Sequence, residues 1–182
     1  MSMTTPYFRL ATADDAARLG EFMSRNFLAA YGHCSTPRNV QSAVLEHYGL
    51  PAQQRQIADP SRWNLVMTVD GEWAGHAQLR EPSGLQPTSA IAGIADAGPA
   101  LELCRFYVDT AFHGRGLAQA MMAQVKLEAR RRGARAIHLS VWQEQPQAIR
   151  FYEKEGFRIA GTLVFVVGDD PKDDWLMACD LG

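Results

Sequence analysis

The spacing of apolar residues in the first third of the chain predicts one strand followed by two amphipathic helices. A short apolar run at 7–10 is typical of a strand. From 16 to 31, apolar residues recur every three or four positions, which predicts a helix. A second helix is predicted at 37–48, with Gly49 and Pro51 as its stop signals.

A hairpin and a long loop are predicted next. Two runs rich in aromatic and β-branched residues, 63–69 and 73–79, flank Asp70-Gly71, a dipeptide that favours a tight turn between strands. The segment 81–99 that follows contains prolines, glycines and many small residues. We interpret it as a mobile loop within one domain.

The rest of the chain predicts strands and helices in alternation. Strands are predicted at 101–108, 136–142, 157–167 and 175–180, and helices at 117–132 and 146–155. The resulting order, β-α-α-β-β-β-α-β-α-β-β, is an α/β or α+β pattern, mostly antiparallel in its front half. The strand-helix-strand unit from 101 to 142 should form a parallel, right-handed crossover.

Composition limits the classes of protein that this chain can belong to. Its 182 residues are 47% hydrophobic and 21% charged, which predicts one folded domain over 1–182 rather than a disordered chain. The net charge of -2 provides no global positive field, so nucleic acid is not expected as a partner. Any anion site must therefore be local.

Cysteine and histidine usage and the N-terminal sequence exclude further classes. Three cysteines without a C-x-x-C pair predict reduced thiols, and the histidines lack a metal-binding spacing, so no metal is expected. Neither a basic-then-apolar leader nor an apolar run of membrane-spanning length is present. These features predict a cytoplasmic protein without a membrane partner.

The segment 109–118, between a predicted strand and a long predicted helix, has the composition of an anion-binding turn. Small residues at 114, 116 and 118 keep side chains away from the backbone N–H groups, which together with the helix N-terminus can hold a phosphate or diphosphate. Arg115 can add a charged contact. Neither G-x-x-x-x-G-K-[ST] nor G-x-G-x-x-G is present, and a purely structural turn is the alternative.

Two motifs resemble those of the GCN5-related N-acetyltransferase (GNAT) superfamily. The strand 103–108 followed by His113-Gly114-Arg115-Gly116-Leu117-Ala118 is similar to the acetyl-CoA-binding motif Q/R-x-x-G-x-G/A, with His113 at its first position. The segment 145–157 is similar to N-x-x-A-x-x-F-Y-x-x-x-G-F, with Gln145 in place of Asn. The front segment also resembles, more loosely, bacterial polyamine N-acetyltransferases.

The resemblance implies a GNAT fold, a central mixed, mostly antiparallel sheet of six to seven strands with about four helices. It also implies acetyl-CoA as co-substrate. The cofactor-binding residues that it implies are Phe106, Tyr107, Val108, His113, Gly114, Arg115, Gly116, Leu117, Ala118 and Gln145. Residues 106–108 would bind the pantetheine arm through their backbone, as an added strand does.

Acetyl transfer to an amine needs a proton acceptor and a proton donor. An alkylamine with a pKa of about 10.4 is almost wholly protonated near pH 7, and the departing thiolate leaves more easily when an acid protonates it. The resemblance implies Tyr152 as the acid, with packing beside Phe151 as the alternative. Glu102 is the candidate base. The alternation of its strand turns it either toward the cleft or toward a solvated edge, the crossover location favours the cleft, and the resemblance implies that an acidic residue there binds the catalytic water.

The acceptor is expected to be an amine, either a small molecule such as a polyamine or a protein amine. Acidic residues, among them 169–174, could attract a cationic acceptor, although 169–174 also has the character of a solvated turn between strands. The alternative function is a non-catalytic acyl-CoA-binding or regulatory module on the same fold. Either function allows a homodimer.

Overall fold

Seven strands and five α-helices form over the residues that the computed structural model describes, 5–81 and 99–182. The strands are β1 (Tyr7–Leu10), β2 (Arg62–Val69), β3 (Glu72–Arg80), β4 (Ala100–Val108), β5 (Ala136–Trp142), β6 (Arg158–Val167) and β7 (Asp170–Asp180). The helices are α1 (Ala16–Tyr31), α2 (Pro37–Tyr48), α3 (Leu50–Ala58), α4 (Leu117–Arg131) and α5 (Pro146–Lys154). Most of the predicted mobile loop, 82–98, lies outside the described residues.

The strands form one mixed sheet in the order β1-β2-β3-β4-β5-β7-β6. β1 pairs antiparallel with β2, and β5 pairs antiparallel with β7. β4 pairs parallel with β5 through Ala100–Ala136, Leu101–Ile137 and Glu102–His138, which confirms that the predicted crossover is parallel. The fold class and the strand number expected from the resemblance are confirmed.

The hairpin of β2 and β3 turns at the predicted dipeptide. Asp70 has φ 51° and Gly71 has φ 83°, so both central residues adopt the left-handed conformation. This is the conformation that a two-residue turn needs to match the twist of the flanking strands, and aspartate followed by glycine adopts it at low cost.

One helix was not predicted. Pro51 was interpreted as a stop signal, but it occupies the first turn of α3, where its missing N–H costs nothing. The Gly49 carbonyl accepts hydrogen bonds from the N–H groups of Ala52 and Gln53 and so begins the new helix directly after α2. The predicted element order therefore lacks α3.

The interpretation of 169–174 as a solvated turn was wrong. β7 begins at Asp170, five residues before the predicted strand at 175–180, and its pairing with β5 extends to Trp142–Asp174. The turn contains only Gly168 and Asp169. Asp174 is 5% exposed, because strand pairing carries its backbone into the sheet.

The chain divides into two compact units, each assembled from three stretches. The described residues of Met1–Gln78, Arg105–Met121 and Val166–Asp170 form the first unit, and those of Leu79–Cys104, Met122–Phe165 and Pro171–Gly182 form the second. Leu19, Met23 and Met67 are fully buried in the first, and Ile137 and Met177 in the second. The single domain over 1–182 stays a prediction.

Candidate active site

The turn after β4 is held at its start by hydrogen bonds within the first unit. The Asp109 N–H donates to the Ala74 carbonyl at 2.9 Å, and its carboxylate accepts from the Ala111 N–H at 3.0 Å. The His113 ring nitrogen Nε2 lies 2.8 Å from the Val108 carbonyl, to which it donates. The His113 side chain therefore fixes the turn itself.

Arg25 holds Asp109 from α1. Its guanidinium lies 2.6 Å from the carboxylate. Partial burial is the largest single influence on the pKa of Asp109 and acts to raise it. The hydrogen bonds from the Ala111 N–H and from Arg25 together outweigh burial, so the pKa is lowered. The carboxylate at the start of the turn is therefore ionised at neutral pH.

The two glycines of the turn leave open space above the backbone. Gly114 has φ 75° and Gly116 has φ 74°, and a Cβ at either position would meet no atom within 4 Å. A side chain would be strained there and would fill this space. The arrangement fits a diphosphate, which needs close approach to backbone N–H groups.

The start of α4 supplies donors beside this space. Its first helical bond runs from the Ala120 N–H to the Gly116 carbonyl at 3.1 Å, so the N–H groups of Leu117 and Ala118 have no acceptor within the helix. Leu117 anchors the helix start, being 3% exposed. Arg115 is exposed, with its guanidinium 5.3 Å from the Phe112 ring centroid, and adds positive charge.

β4 continues beyond the residues that pair with β5. The pairing of the two strands ends at Glu102–His138, although β4 continues to Val108. In the first unit, the Tyr107 hydroxyl lies 2.8 Å from that of Tyr48, and burial raises the pKa of Tyr107 well above its usual value. The Tyr107 side chain is thus held against Tyr48. A cofactor-binding role for Phe106, Tyr107 and Val108 would therefore be a backbone role.

Glu102 lies in the second unit in a two-point ion pair. Arg80 Nε and Nη2 donate to its two carboxylate oxygens at 2.7 and 2.9 Å. The side chain is 17% exposed, which places it away from a solvated edge. His138 is its neighbour on β5, and burial lowers the pKa of that imidazole, so it is neutral at pH 7.

Tyr152 and Gln145 lie on α5, also in the second unit. Tyr152 is 9% exposed and packs against Phe151 and Phe157, with ring centroids 5.5 and 5.7 Å away. Gln145 caps α5 through its backbone, since its carbonyl accepts from the Ile149 N–H at 3.0 Å and its side chain makes no cap bond. The packing partners fix the Tyr152 ring, which a positioned acid also requires.

The predicted site residues divide between the two units. The turn and the β4 end, 106–108 and 113–118, come together in the first unit. Glu102, Gln145 and Tyr152 belong to the second. Within the described residues, no group of three metal-ligating side chains occurs, and no helix has the length and apolar character needed to cross a bilayer.

Asp174 was singled out only as part of an acidic run, although its environment sets it apart. Burial raises its pKa to about 6, and Asp173 adds to the rise, whereas a hydrogen bond with Ser140 opposes it. Titration near neutral pH is a common property of functional carboxylates. The sequence could indicate the burial of Asp174 only through the register of β7, and the predicted strand began too late to include this residue.

The model of the acetyltransferase (GNAT) family matches residues 26–157. An uncharacterised N-acetyltransferase of Mycobacterium tuberculosis is 30% identical over 167 residues, which cover 92% of this chain and 98% of that protein. The L-amino acid N-acetyltransferase AaaT of Escherichia coli is 32% identical over 112 residues, 60% of this chain and 62% of that protein.

Solved structures have the same fold at low sequence identity. The PaiA N-acetyltransferase of Thermoplasma acidophilum, in complex with coenzyme A, matches with a TM-score of 0.75 at 15% identity and covers 97% of this chain and 99% of that one. The acetyltransferase yncA of Salmonella typhimurium, with its cofactor acetyl-CoA, matches with a TM-score of 0.64 at 19% identity over 97% and 94% of the two chains.

Proposed function

Because this chain belongs to the acetyltransferase (GNAT) family, we propose that it transfers the acetyl group of acetyl-CoA to a primary amine by direct attack within a ternary complex. N-acetyltransferase activity is the family property. The observation that carries the rest of the proposal is the turn 113–118, where two glycines with positive φ leave open space at a helix N-terminus. That geometry supports binding of the cofactor's diphosphate.

The first unit would hold the cofactor largely through its backbone. The N–H groups of 114–118 would bind the diphosphate, and Arg115 would add a charged contact from the rim. The N–H and C=O groups of Phe106, Tyr107 and Val108 would orient the pantetheine arm as an added strand does. Binding through backbone N–H groups would explain how a chain with a net charge of -2 can hold a strongly anionic cofactor.

Tyr152 and Glu102 would supply the proton transfers. Acetyl-CoA, when bound, supplies the activated acetyl thioester. Tyr152 would donate its phenolic proton to the leaving sulfur, because a phenol with a pKa near 10 is a competent acid for a thiolate. Gln145 would contact the cofactor from the start of α5.

Glu102 is the proposed base. Arg80 engages both of its oxygens, but each carboxylate oxygen has a second lone pair that can accept a hydrogen bond from water. Glu102 would therefore take the amine proton through a water molecule, with Arg80 fixing the orientation of the carboxylate. The neutral His138 beside it adds no further charge to that ion pair.

The proposal is tested by measuring release of CoA from acetyl-CoA with a panel of amines, for the natural chain and for Tyr152→Phe. We expect Tyr152→Phe to lower kcat by roughly a hundredfold, as loss of a general acid does, with little change in KM for acetyl-CoA. Tyr7→Phe is the matched control, since Tyr7 is 65% exposed on β1. It should keep full activity.

Each outcome separates one part of the proposal from another. A Tyr152→Phe enzyme with unchanged kcat would show that Tyr152 is a packing residue. If no amine accelerates CoA release although acetyl-CoA raises the melting temperature, the chain is a non-catalytic acyl-CoA-binding module. If acetyl-CoA leaves the melting temperature unchanged, the cofactor assignment itself is wrong.

A further inference from the structure

Arg105, on β4, is half-buried among aromatic side chains of the first unit. Its guanidinium carbon lies 5.3 Å from the centroid of the Tyr48 ring, and the Tyr48 hydroxyl is 2.8 Å from that of Tyr107. A guanidinium stacked on a ring keeps its charge and has its plane oriented. The Arg105 guanidinium is therefore a positively charged group held in place beside the phenol pair of Tyr48 and Tyr107.

Two histidines near this charge are neutral at pH 7. Burial lowers the pKa of His47 and of His76, and the positive charge of Arg105 lowers both further. The pKa of His76 falls to about 3. Because partial burial weakens the screening of Arg105 by water, its charge acts strongly on whatever binds beside it.

His76 provides an independent observation. The residue has no exposed surface, and neither Nδ1 nor Nε2 has a hydrogen-bond partner within the part of the chain that the structure describes. Buried polar atoms nearly always have partners, since leaving one unsatisfied costs free energy. Two unsatisfied nitrogens close to Arg105 point to a polar ligand or to water held by one.

We propose that the Arg105 cluster, consisting of Arg105, Tyr48, Tyr107, His47 and His76, binds an anionic group of the acceptor. The acceptor is then an amine that carries a carboxylate, as an amino acid does. This inference rests on the proposed function and names its substrate class. It runs against a polyamine, whose additional ammonium groups would be repelled by Arg105.

The chemistry of the cluster matches a carboxylate. Arginine presents several N–H donors in a planar fork, so it can bind both oxygens of a carboxylate while it keeps its protein contacts. The phenol pair of Tyr48 and Tyr107 can donate one further hydrogen bond, since only one of its two protons is used between the rings.

The test compares acceptors that differ only in the carboxylate. L-phenylalanine is paired with 2-phenylethylamine and L-leucine with 3-methylbutylamine, and spermidine serves as the polyamine. We expect kcat/KM to be at least about tenfold higher for each amino acid than for its matched amine, the range of one charged hydrogen bond. Spermidine should be the poorest acceptor.

Arg105 variants connect this preference to the cluster. Arg105→Gln should bring the amino acid and its matched amine to nearly equal kcat/KM, and Arg105→Lys should keep part of the preference, because it keeps the charge without the fork. Arg38→Gln, at an exposed arginine of α2 in the same unit, is the control and should keep the full preference.

A measurement on the natural chain does not depend on whether the variants fold. N-acetyl-L-phenylalanine should inhibit CoA release at a concentration at least about tenfold lower than N-acetyl-2-phenylethylamine. Equal inhibition, or equal kcat/KM within the acceptor pairs, would overturn the inference while leaving the amine acetyltransferase intact. If no amine in the panel is acetylated, the proposed function fails instead.

Discussion

Asp174 shows how the surroundings of one residue decide its chemistry. A carboxylate at an exposed turn would ionise at its ordinary pKa of 3.8, but β7 carries Asp174 into the sheet, where burial raises that pKa to about 6. The folded state therefore bears a free-energy cost for the ionised group above pH 6. This cost declines as the pH falls from 6 and is absent below 3.8, where both states are protonated.

Replacement of Asp174 by asparagine should therefore stabilise the protein at high pH. We expect Asp174→Asn to raise the free energy of unfolding by about 2 kcal/mol at pH 8, because it removes the buried charge. The gain should vanish near pH 4. Urea unfolding at both pH values measures it, with Asp180→Asn, at an exposed aspartate of the same strand, as control. A gain of equal size at both pH values would contradict this explanation.

The sequence singles out candidate site residues that stand in motifs, and it cannot single out candidates that only packing brings together. Gly114, Gly116 and Tyr152 stand at fixed spacings within short segments, so the sequence alone singles them out. Arg105 and His76 are distant in sequence and form part of one cluster only because β3, β4 and α2 bring them to one place in the first unit. No local pattern encodes such an arrangement.

At the scale of elements, the glycine turn before α4 makes the most specific prediction. Gly116→Ala should weaken acetyl-CoA binding at least about tenfold, because the new Cβ fills the space in which the diphosphate would lie. The left-handed backbone should also cost about 1 to 2 kcal/mol of stability. Calorimetric titration with acetyl-CoA and thermal unfolding measure the two effects.

Gly71 offers a matched control for the strain. It has φ 83°, a Cβ there would also meet no atom within 4 Å, and it lies in the β2–β3 turn of the same unit. Gly71→Ala should thus lose similar stability and bind acetyl-CoA normally. Equal loss of binding in both variants would show that strain, not occupation of the turn, weakens binding.

Elements with strong periodicity could be predicted closely, and ambiguous stop signals account for the misses. The bounds of α1 and β5 agree with the predicted ones because their apolar spacing is regular. Proline is common both just after the end of a helix and in the first turn of a helix. Pro51 therefore did not distinguish between these two positions, and α3 was not predicted. The predicted start of β7 was wrong because its acidic residues are typical of a solvent-exposed turn. Only the pairing with β5 shows that they belong to the strand.

At the scale of the whole molecule, the charge balance becomes informative only through local structure. A net charge of -2 provides no global positive field, yet the first unit contains two places suited to anions, the turn at 113–118 and the Arg105 cluster. Both rely on fixed donors rather than on net charge. The cytoplasmic location and a homodimer stay predictions.

The most direct test of the account follows the acetyl group itself. The protein is incubated with acetyl-CoA labelled with ¹³C in the acetyl group and with L-phenylalanine, and the products are analysed by mass spectrometry. The account predicts that the amine gains one labelled acetyl group for each CoA released. Release of labelled acetate with unmodified amine, across a panel of amines, would contradict it.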